Sequence, residues 1–334
     1  MLKRVSTFLI SILLFSGSSI KASNKIEALI KIDDWKVSWE GRPRDPFVDG
    51  SGILWFCGQS GNYIGRFNPT TEQFKKYKIP DGTHPHNLIV DAKGYVWYAG
   101  NQNGHIGKLD PDTGKIKQIP MPSEITDPHT MVFDQNENIW FTAQNSNAIG
   151  HLNTITGEVR FVKAKTNRSR PYGIKMDHNG NPWVVLVGTN KLAFIDPERL
   201  AIQEFDLPRS KARPRRLEIT NDNNIWYVDY AKGFLGEYNP KTQQFKEWPM
   251  PAGKDSYPYG TALDSKQRIW IAETGKFPNQ LIGFDTLTKK FIGSTAVKSG
   301  GSIRHMYYDQ RENAIWFGVD VGFIGRVRIL DATK

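Results

Sequence analysis

The sequence predicts an all-β protein with the architecture of a seven-bladed β-propeller. Seven tryptophans recur along the chain at intervals of 42 to 46 residues. Self-similarity at this period is typical of propellers and solenoids. Turn-forming residues return about every ten residues, which favours short strands over the helices of helical repeats. The seven tryptophans are Trp55, Trp97, Trp140, Trp183, Trp226, Trp270 and Trp316.

Other positions of the repeat support four short strands in each copy. A proline stands twelve residues before the tryptophan in six of the seven copies, and Arg304 stands there in the last. An apolar residue followed by glycine comes after the tryptophan, as in Ile149-Gly150. One four-stranded sheet cannot bury both of its faces, whereas seven sheets packed radially can. In the third copy we expect strands over about 130–134, 138–143, 147–152 and 158–162.

The two ends of the repeat array predict how the ring closes. The last copy ends with its third strand, Gly322–Ile329, while the segment Ile30–Trp39 precedes the first repeat proline and belongs to no copy. We therefore expect the N-terminal strand to complete the last blade. Such pairing ties together chain ends that would otherwise fray.

Residues 1–22 have the pattern of a secretory signal peptide. Lys3 and Arg4 precede the apolar run Val5–Phe15, and small residues follow up to Ala22. An uncleaved N-terminal anchor is the alternative, although the run is short for a membrane span. Residues 23–334 then form a single propeller domain, secreted or periplasmic, with no membrane span after the signal is removed.

Composition and missing motifs narrow the classes of function. The chain has 334 residues, 44 Lys and Arg against 34 Asp and Glu, and a net charge of +10. These charges are scattered, so we expect no nucleic-acid partner. Cys57 is the single cysteine, which excludes an intrachain disulfide. The sequence has no phosphate-binding glycine loop, CxxC or HExxH motif, and because a propeller closes on itself we expect a monomer.

The residues that follow the repeat prolines predict a polar ring around the propeller axis. Histidine, tyrosine and arginine supply hydrogen-bond donors, positive charge and aromatic faces, which suit a small polar or anionic ligand with apolar parts. The alternative is that these side chains only fill and hydrate the channel mouth. Arg42, His84, Arg170 and Arg213 precede the prolines and add to the same end. The predicted ring consists of Arg44, His86, His129, Tyr172, Arg215, Tyr259 and His305.

A second set of positions near the predicted axis comes three or four residues after each tryptophan. Carboxylates occupy these positions in the last three repeats only. Asp229 and Glu273 stand three residues after their tryptophans, and Asp320 stands four after Trp316. A one-sided cluster of carboxylates suits a hard cation or a proton transfer. The alternative is that these carboxylates only form local ion pairs with cations of the ring such as Arg215.

The repeat unit resembles that of the streptogramin B lyase family, also called the virginiamycin B lyase family. The strongest stretches are Asp127–Leu152, which reads DPHTMVFDQNENIWFTAQNSNAIGHL, and Pro258–Glu273. The resemblance covers essentially all of residues 23–334. It implies a seven-bladed propeller that opens a cyclic depsipeptide antibiotic at an ester by Mg²⁺-assisted elimination.

The resemblance also implies roles for individual residues. The family's closing blade carries Glu-Pro-His, with the histidine as the base, and a metal-binding glutamate four residues after the tryptophan. Counted from Trp316, the base falls on His305 and the later carboxylate on Asp320. Glu273, from the carboxylate cluster, is a further candidate metal ligand that the resemblance itself does not supply. The family's earlier glutamate falls on Ile303 and its proline on Arg304, which could instead stabilise a developing enolate.

The sequence therefore predicts an exported protein resembling the streptogramin B lyases, with Mg²⁺ as the implied cofactor. Tyr259 takes the place of a substrate-contacting histidine of the family. Two alternatives remain open: a non-catalytic periplasmic propeller that binds a ligand or a protein, and a lactonase-like hydrolase. The predicted substrate-binding residues are Arg44, His86, His129, Tyr172, Arg215, Tyr259 and Arg304.

Overall fold

A computed structural model describes residues 29–330; the predicted signal peptide, residues 1–22, lies outside them. Seven four-stranded antiparallel sheets form the predicted propeller. Within residues 29–330 the one helical element is a 3-10 turn, Gly253–Asp255. In this part of the chain no helix is long and apolar enough to cross a membrane.

Each blade consists of four strands that follow one another in the chain, except in blade 7. Blades 1 to 6 span residues 43–78, 85–120, 128–163, 171–206, 214–249 and 258–296, and blade 7 combines residues 303–329 with the strand over residues 30–36. The strands are β1 (Ile30–Lys36), β2 (Pro43–Val48), β3 (Leu54–Gly58), β4 (Tyr63–Asn68), β5 (Gln73–Lys78), β6 (Pro85–Val90), β7 (Val96–Gly100), β8 (His105–Leu109), β9 (Ile116–Pro120), β10 (Pro128–Phe133), β11 (Ile139–Ala143), β12 (Ala148–Leu152), β13 (Val159–Lys163), β14 (Pro171–Met176), β15 (Pro182–Leu186), β16 (Lys191–Asp196), β17 (Ala201–Asp206), β18 (Pro214–Ile219), β19 (Ile225–Asp229), β20 (Phe234–Asn239), β21 (Gln244–Pro249), β22 (Pro258–Leu263), β23 (Arg268–Glu273), β24 (Gln280–Asp285), β25 (Lys290–Ala296), β26 (Ile303–Asp309), β27 (Ala314–Val319) and β28 (Phe323–Ile329).

The repeated tryptophan fixes the turn between the first two strands of a blade. Trp55 Nε1 donates to Asp49 at 2.7 Å, and the other oxygen of that carboxylate accepts the backbone N–H groups of Ser51 and Ile53. The aspartate thus satisfies turn donors and the buried indole together, as buried polar groups require. The indoles of Trp97, Trp183 and Trp270 make the same bond to the aspartate six residues before them.

In blades 1, 2, 3, 5 and 7 the glycine of the third strand makes room for an aromatic ring. A Cβ atom on Gly65 would lie 2.2 Å from Cζ of Phe56, and one on Gly150 would lie 2.2 Å from Cζ of Phe141. Blade 4 has Ala193 at this position, opposite the smaller Val184. The exception in the repeat therefore follows from packing, because a smaller neighbour leaves room for a methyl group.

The N-terminal strand closes blade 7, as predicted. β1 pairs antiparallel with β28 from Ile30 opposite Ile329 to Lys36 opposite Phe323. Trp35 stacks on Trp316 with ring centroids 5.8 Å apart. The ring is thus held by strand pairing and by aromatic packing between the two ends of the described chain.

The pairing of blade 7 differs by one residue from the predicted register. The six repeat prolines each pair with the residue three after the tryptophan, as Pro258 does with Glu273. In blade 7 the residue opposite Val319 is Ile303, so Ile303 and not Arg304 occupies the proline position. The β26–β27 hairpin holds one extra residue, since Asp309 stands seven residues before Trp316 instead of six.

Candidate functional site at the propeller channel

The seven inner strands border a channel with two chemically different ends. Each inner strand begins at its proline position and ends at the hairpin to the second strand. We call the end where these strands begin the Pro face, and the end where they finish the hairpin face. The residue after each proline position lies near the Pro face, and the second residue after it lies deeper in the channel.

Six of the seven predicted ring residues do meet around the axis. The His86 and His129 rings have centroids 3.4 Å apart, and those of His129 and Tyr172 are 4.4 Å apart. The hydroxyl groups of Tyr172 and Tyr259 share a short hydrogen bond. The seventh member is Arg304, because of the register of blade 7, and its guanidinium lies 5.6 Å from the Tyr259 ring centre.

Arginine side chains surround the phenol of Tyr259. The Arg215 guanidinium lies 4.5 Å from the centre of that ring and 4.0 Å from the centre of the Tyr230 ring. Burial alone would raise the pKa of Tyr259, but the positive charges of Arg215, Arg44 and Arg216 outweigh it and lower the pKa to about 8. The ring therefore favours negative charge at this hydroxyl.

A layer of buried polar side chains crosses the channel on the hairpin-face side of the ring. Arg216 donates to Asp45, to the hydroxyl of Thr130 and to the carbonyl oxygen of Arg304. The amide of Asn87 also donates to Asp45. We call Asp45, Asn87, Thr130 and Arg216 the axial network; it links blades 1, 2, 3, 5 and 7.

Asp45 of the axial network also forms an ion pair with Arg44, its neighbour in the sequence. Arg44 Nε lies 2.5 Å from Asp45, whose side chain is fully buried. Burial disfavours the charged carboxylate, but Arg44, His305 and Arg216 outweigh this and hold the pKa of Asp45 far below its usual range. Arg44 thus belongs to the ring by position and is held by its ion pair with Asp45.

His305 was predicted as a ring member and as the base, and the structure places it elsewhere. It is the second residue after the proline position, so its side chain lies on the hairpin side of the ring, with Nδ1 3.8 Å from Asp45. Burial and the charge of Arg216 lower the pKa of His305 to about 3. The one-residue extension of the β26–β27 hairpin accounts for the displacement, because it moves every residue of β26 relative to Trp316.

Asp320 was predicted as a metal ligand, and its carboxylate is engaged by arginine instead. Arg304 Nη2 lies 3.1 Å and Arg42 Nη2 3.7 Å from Oδ2 of Asp320. The other oxygen, Oδ1, accepts the backbone N–H of Ser302 at 2.8 Å. Both oxygens are therefore occupied by protein donors.

The remaining acids hold loops together. Glu273 is buried and accepts the backbone N–H of Ala252 at 3.2 Å. Asp229 accepts three backbone N–H groups, from Arg213, Ala231 and Lys232. Within residues 29–330 no three His, Cys, Asp or Glu side chains are grouped to hold a metal. Because Asp320 carries two arginines, the predicted ligands do not fit Mg²⁺, which requires oxygen donors that are free to bind it.

A cationic cavity of about 570 Å³ opens on the Pro face, and residues from blade 3 through blade 6 line it. No aspartate or glutamate from residues 29–330 lines it. Among the described residues none forms an ion pair with any of its four arginines. The guanidinium of Arg213 donates to the carbonyl oxygen of Ala212, and that of Arg170 donates to Gln144. The arginines and tyrosines that line it are Arg168, Arg170, Arg213, Arg215, Tyr172, Tyr230 and Tyr257.

Sequence reasoning missed several of these residues. Tyr230 and Tyr257 were not singled out, although Tyr230 stands four residues after its tryptophan and Tyr257 directly precedes a repeat proline. The displacement of His305 also had a signal in the sequence. The spacing from the turn residue to the tryptophan is six in the first six repeats and seven in the last.

Comparison with known proteins identifies the family. A model of the virginiamycin B lyase family matches residues 22–278. The chain belongs to this family. A search of curated protein sequences found no match.

Solved structures give the same fold at low sequence identity. Selenomethionine-substituted virginiamycin B lyase from Staphylococcus aureus is 21% identical, with 90% of this chain and 100% of that chain covered and a TM-score of 0.82. The same values describe a catalytically inactive variant of that enzyme with quinupristin. The extracellular domain of a putative hybrid two-component system from B. thetaiotaomicron is 17% identical, with 90% of this chain and 41% of that chain covered and a TM-score of 0.68. At such identities the likeness to solved structures concerns the fold alone.

Proposed function

We propose that this member of the virginiamycin B lyase family is an exported propeller that binds an organic anion in the Pro-face cavity. One observation carries the proposal: four arginines without ion-pair partners among the described residues line one cavity that has no acidic residue. Unpaired guanidinium groups that are held together repel one another, so a bound anion would stabilise them. The signal-peptide pattern of residues 1–22 supports export.

The walls of the cavity indicate the chemistry of the ligand. Guanidinium groups bind carboxylate, sulfate and phosphate through paired hydrogen bonds. Tyr172, Tyr230 and Tyr257 provide aromatic faces beside these charges. A volume of about 570 Å³ lies within the usual range for small-molecule sites. The ligand is therefore an organic acid, sulfate or phosphate with a flat aromatic or sugar-like body.

Isothermal titration calorimetry tests anion binding directly. Citrate and 4-nitrophenyl phosphate are the probes, measured with the mature protein and with the double variant Arg170→Ala, Arg213→Ala. We expect the double variant to lose at least tenfold in affinity, since each charge-assisted hydrogen bond contributes about 1.5–3 kcal/mol. The control is Arg160→Ala, at an exposed position of β13. The proposal is wrong if neither probe binds at millimolar concentration, or if Arg160→Ala weakens binding equally.

A second candidate function is elimination across a cyclic ester, which the position of Tyr259 favours. Its hydroxyl is hydrogen-bonded to that of Tyr172, and the guanidinium groups of Arg215 and Arg304 lie 4.5 and 5.6 Å from the centre of its ring. As a phenolate, Tyr259 would take the proton from a carbon that is activated by a neighbouring carbonyl group and bonded to the carbon bearing the ester oxygen. The electron pair would form a C=C bond, the alkyl C–O bond of the ester would break, and the acyl part would leave as a carboxylate, with Tyr259 as the neutral phenol. The arginines would stabilise the enolate that develops. No step in this route requires the predicted magnesium site.

Mass spectrometry of quinupristin incubated with the protein separates the candidate reactions. A ring-opened product of unchanged mass indicates elimination, and one heavier by a water molecule indicates hydrolysis. If Tyr259 is the base, Tyr259→Phe abolishes the reaction while His305→Ala retains it. The opposite pattern would restore His305 as the base. Intact substrate at high protein concentration leaves anion binding as the function.

A further inference from the structure

A second cavity, of about 270 Å³, lies in the channel on the hairpin face. It is lined by residues two to five positions after the proline positions, so the axial network separates it from the Pro face. Its walls are mainly apolar, and the rings of Phe47 and Tyr307 pack 4.6 Å apart at one side. The apolar lining is formed chiefly by Phe47, Leu88, Met131, Ile174, Leu217 and Tyr307.

The charges around this cavity cancel one another, unlike those of the Pro face. Lys175 Nζ lies 3.1 Å from Glu218, which also accepts a hydrogen bond from Thr261 at 2.8 Å. Arg216 is paired with Asp45. Every charged side chain at the cavity thus has a partner of opposite sign, so an ionic ligand would have to break an existing pair.

His305 contributes a buried polar ring atom to this lining. Its Nδ1 is buried, has no hydrogen-bond partner among the described residues and lies 3.8 Å from Asp45 Oδ1. The carboxylate favours a proton on Nδ1, which leaves the lone pair of a neutral imidazole on Nε2. With Nδ1 buried, Nε2 is the ring nitrogen that can accept a hydrogen bond from a molecule in the cavity.

We propose that the hairpin-face cavity is a second ligand site, which takes a small neutral aromatic molecule carrying a hydroxyl group. The ring of the ligand occupies the apolar walls, and its hydroxyl donates to Nε2 of His305. The cavity is near the lower end of the range for small-molecule sites, which limits the ligand to about one ring. This site is independent of anion binding, because a different set of residues forms it.

Fluorine NMR with three small probes tests the site. The probes are 4-fluorophenol, 4-fluorotoluene and 4-fluorobenzoate, which share a ring and differ in the group that would face His305. We expect 4-fluorophenol to bind the protein about tenfold more tightly than 4-fluorotoluene, as one hydrogen bond to a buried acceptor provides. The charged benzoate should bind more weakly than the phenol.

Two substitutions locate the binding. His305→Phe should abolish the preference for the phenol and retain toluene binding, which also shows that the variant is folded. Met131→Trp fills the cavity and should weaken both probes at least tenfold. His151→Phe is the matched control, because His151 lies on the third strand of blade 3, and it should keep the tenfold preference.

Three results would overturn the proposal. The first is no binding of 4-fluorophenol at millimolar concentration. The second is an unchanged phenol preference in His305→Phe. The third is displacement of 4-fluorophenol by citrate with the same affinity as citrate shows in calorimetry, which would place the phenol in the Pro-face cavity. Failure of the citrate experiment alone leaves this second site intact, so the two proposals fail separately.

Discussion

Tyr259 illustrates how its neighbours change the chemistry of one side chain. A buried phenol normally resists ionisation, and burial raises the pKa of the adjacent Tyr172 to about 12. Tyr259 differs because Arg215, Arg44 and Arg216 act on it more strongly than burial does. The neutral hydroxyl of Tyr172 then donates a hydrogen bond to the Tyr259 phenolate and stabilises it.

Ultraviolet titration should detect this phenolate. Between pH 7 and 9 the absorbance at 295 nm should rise by one tyrosinate, with a midpoint near pH 8, well below the ordinary tyrosine value. Tyr259→Phe should remove the step. Tyr172→Phe should move it to higher pH, since the phenolate loses a hydrogen-bond donor. Tyr77→Phe, on β5 of blade 1, is the control. A step that survives in Tyr259→Phe would assign the ionisation to another group.

At the scale of single residues, the sequence predicted the positions of six of the seven ring residues and misassigned the seventh. Arg44, His86, His129, Tyr172, Arg215 and Tyr259 follow their prolines directly, so a simple count placed them correctly. His305 was placed by its distance from Trp316, and the extra hairpin residue made that distance misleading. Asp320, Glu273 and Asp229 were placed near the axis, but a count cannot show which hydrogen-bond donors a carboxylate will meet.

At the scale of the strand, one residue in a hairpin decides which side chains face the channel. The strands of each blade follow from turn signals and the repeated tryptophan, and the observed β10–β13 lie within two residues of the expected strands. In blade 7 the hairpin is longer, so Asp309 no longer bonds the indole, and Trp316 Nε1 has no hydrogen-bond partner within residues 29–330. A one-residue shift in a strand exchanges its two faces.

The register of β26 predicts which substitutions can rebuild the family's motif. Counted from Ile303 at the proline position, the Glu-Pro-His segment corresponds to Ser302, Ile303 and Arg304. The triple variant Ser302→Glu, Ile303→Pro, Arg304→His should free Asp320 from Arg304 and gain Mg²⁺-dependent thermal stabilisation. Differential scanning fluorimetry with and without Mg²⁺ measures it.

The alternative register supplies the control for that experiment. The double variant Ile303→Glu, Arg304→Pro follows the count from Trp316, and it would bury a glutamate where Ile303 is fully buried. We expect it to lower the melting temperature without any response to Mg²⁺. A Mg²⁺ response in the double variant and none in the triple variant would contradict the register of β26.

At the scale of the whole molecule, the channel is divided by contacts that no local pattern reveals. Arg216 and Asp45 are 171 residues apart in sequence and form an ion pair at the axis. The repeat predicts that blades meet there, but the pairs formed depend on which side chains project from four different blades and on a backbone carbonyl of a fifth. The separation into a cationic and a neutral cavity was therefore beyond sequence reasoning.

The buried histidines of the channel predict a protein that loses stability in mild acid. Burial is the largest influence that lowers the pKa of His86 and of His129 well below the ordinary value, and it also lowers that of His305 to about 3. Unfolded histidine binds a proton near pH 6.5, so below that pH the unfolded state gains protons that the folded state does not. Each of the three histidines should lower the free energy of unfolding by about 1 kcal/mol between pH 7 and pH 5.5.

Chemical denaturation at the two pH values tests this loss. We expect the free energy of unfolding to fall by roughly 3 kcal/mol from pH 7 to pH 5.5 if the three contributions add. The double variant His86→Gln, His129→Gln should lose only about a third as much, because one of the three groups remains. Asp45 acts in a different range, since its lowered pKa costs stability only as the pH falls below the ordinary aspartate value. An unfolding free energy that is equal at both pH values would mean that these histidines become protonated in the folded channel, and hence that water reaches them.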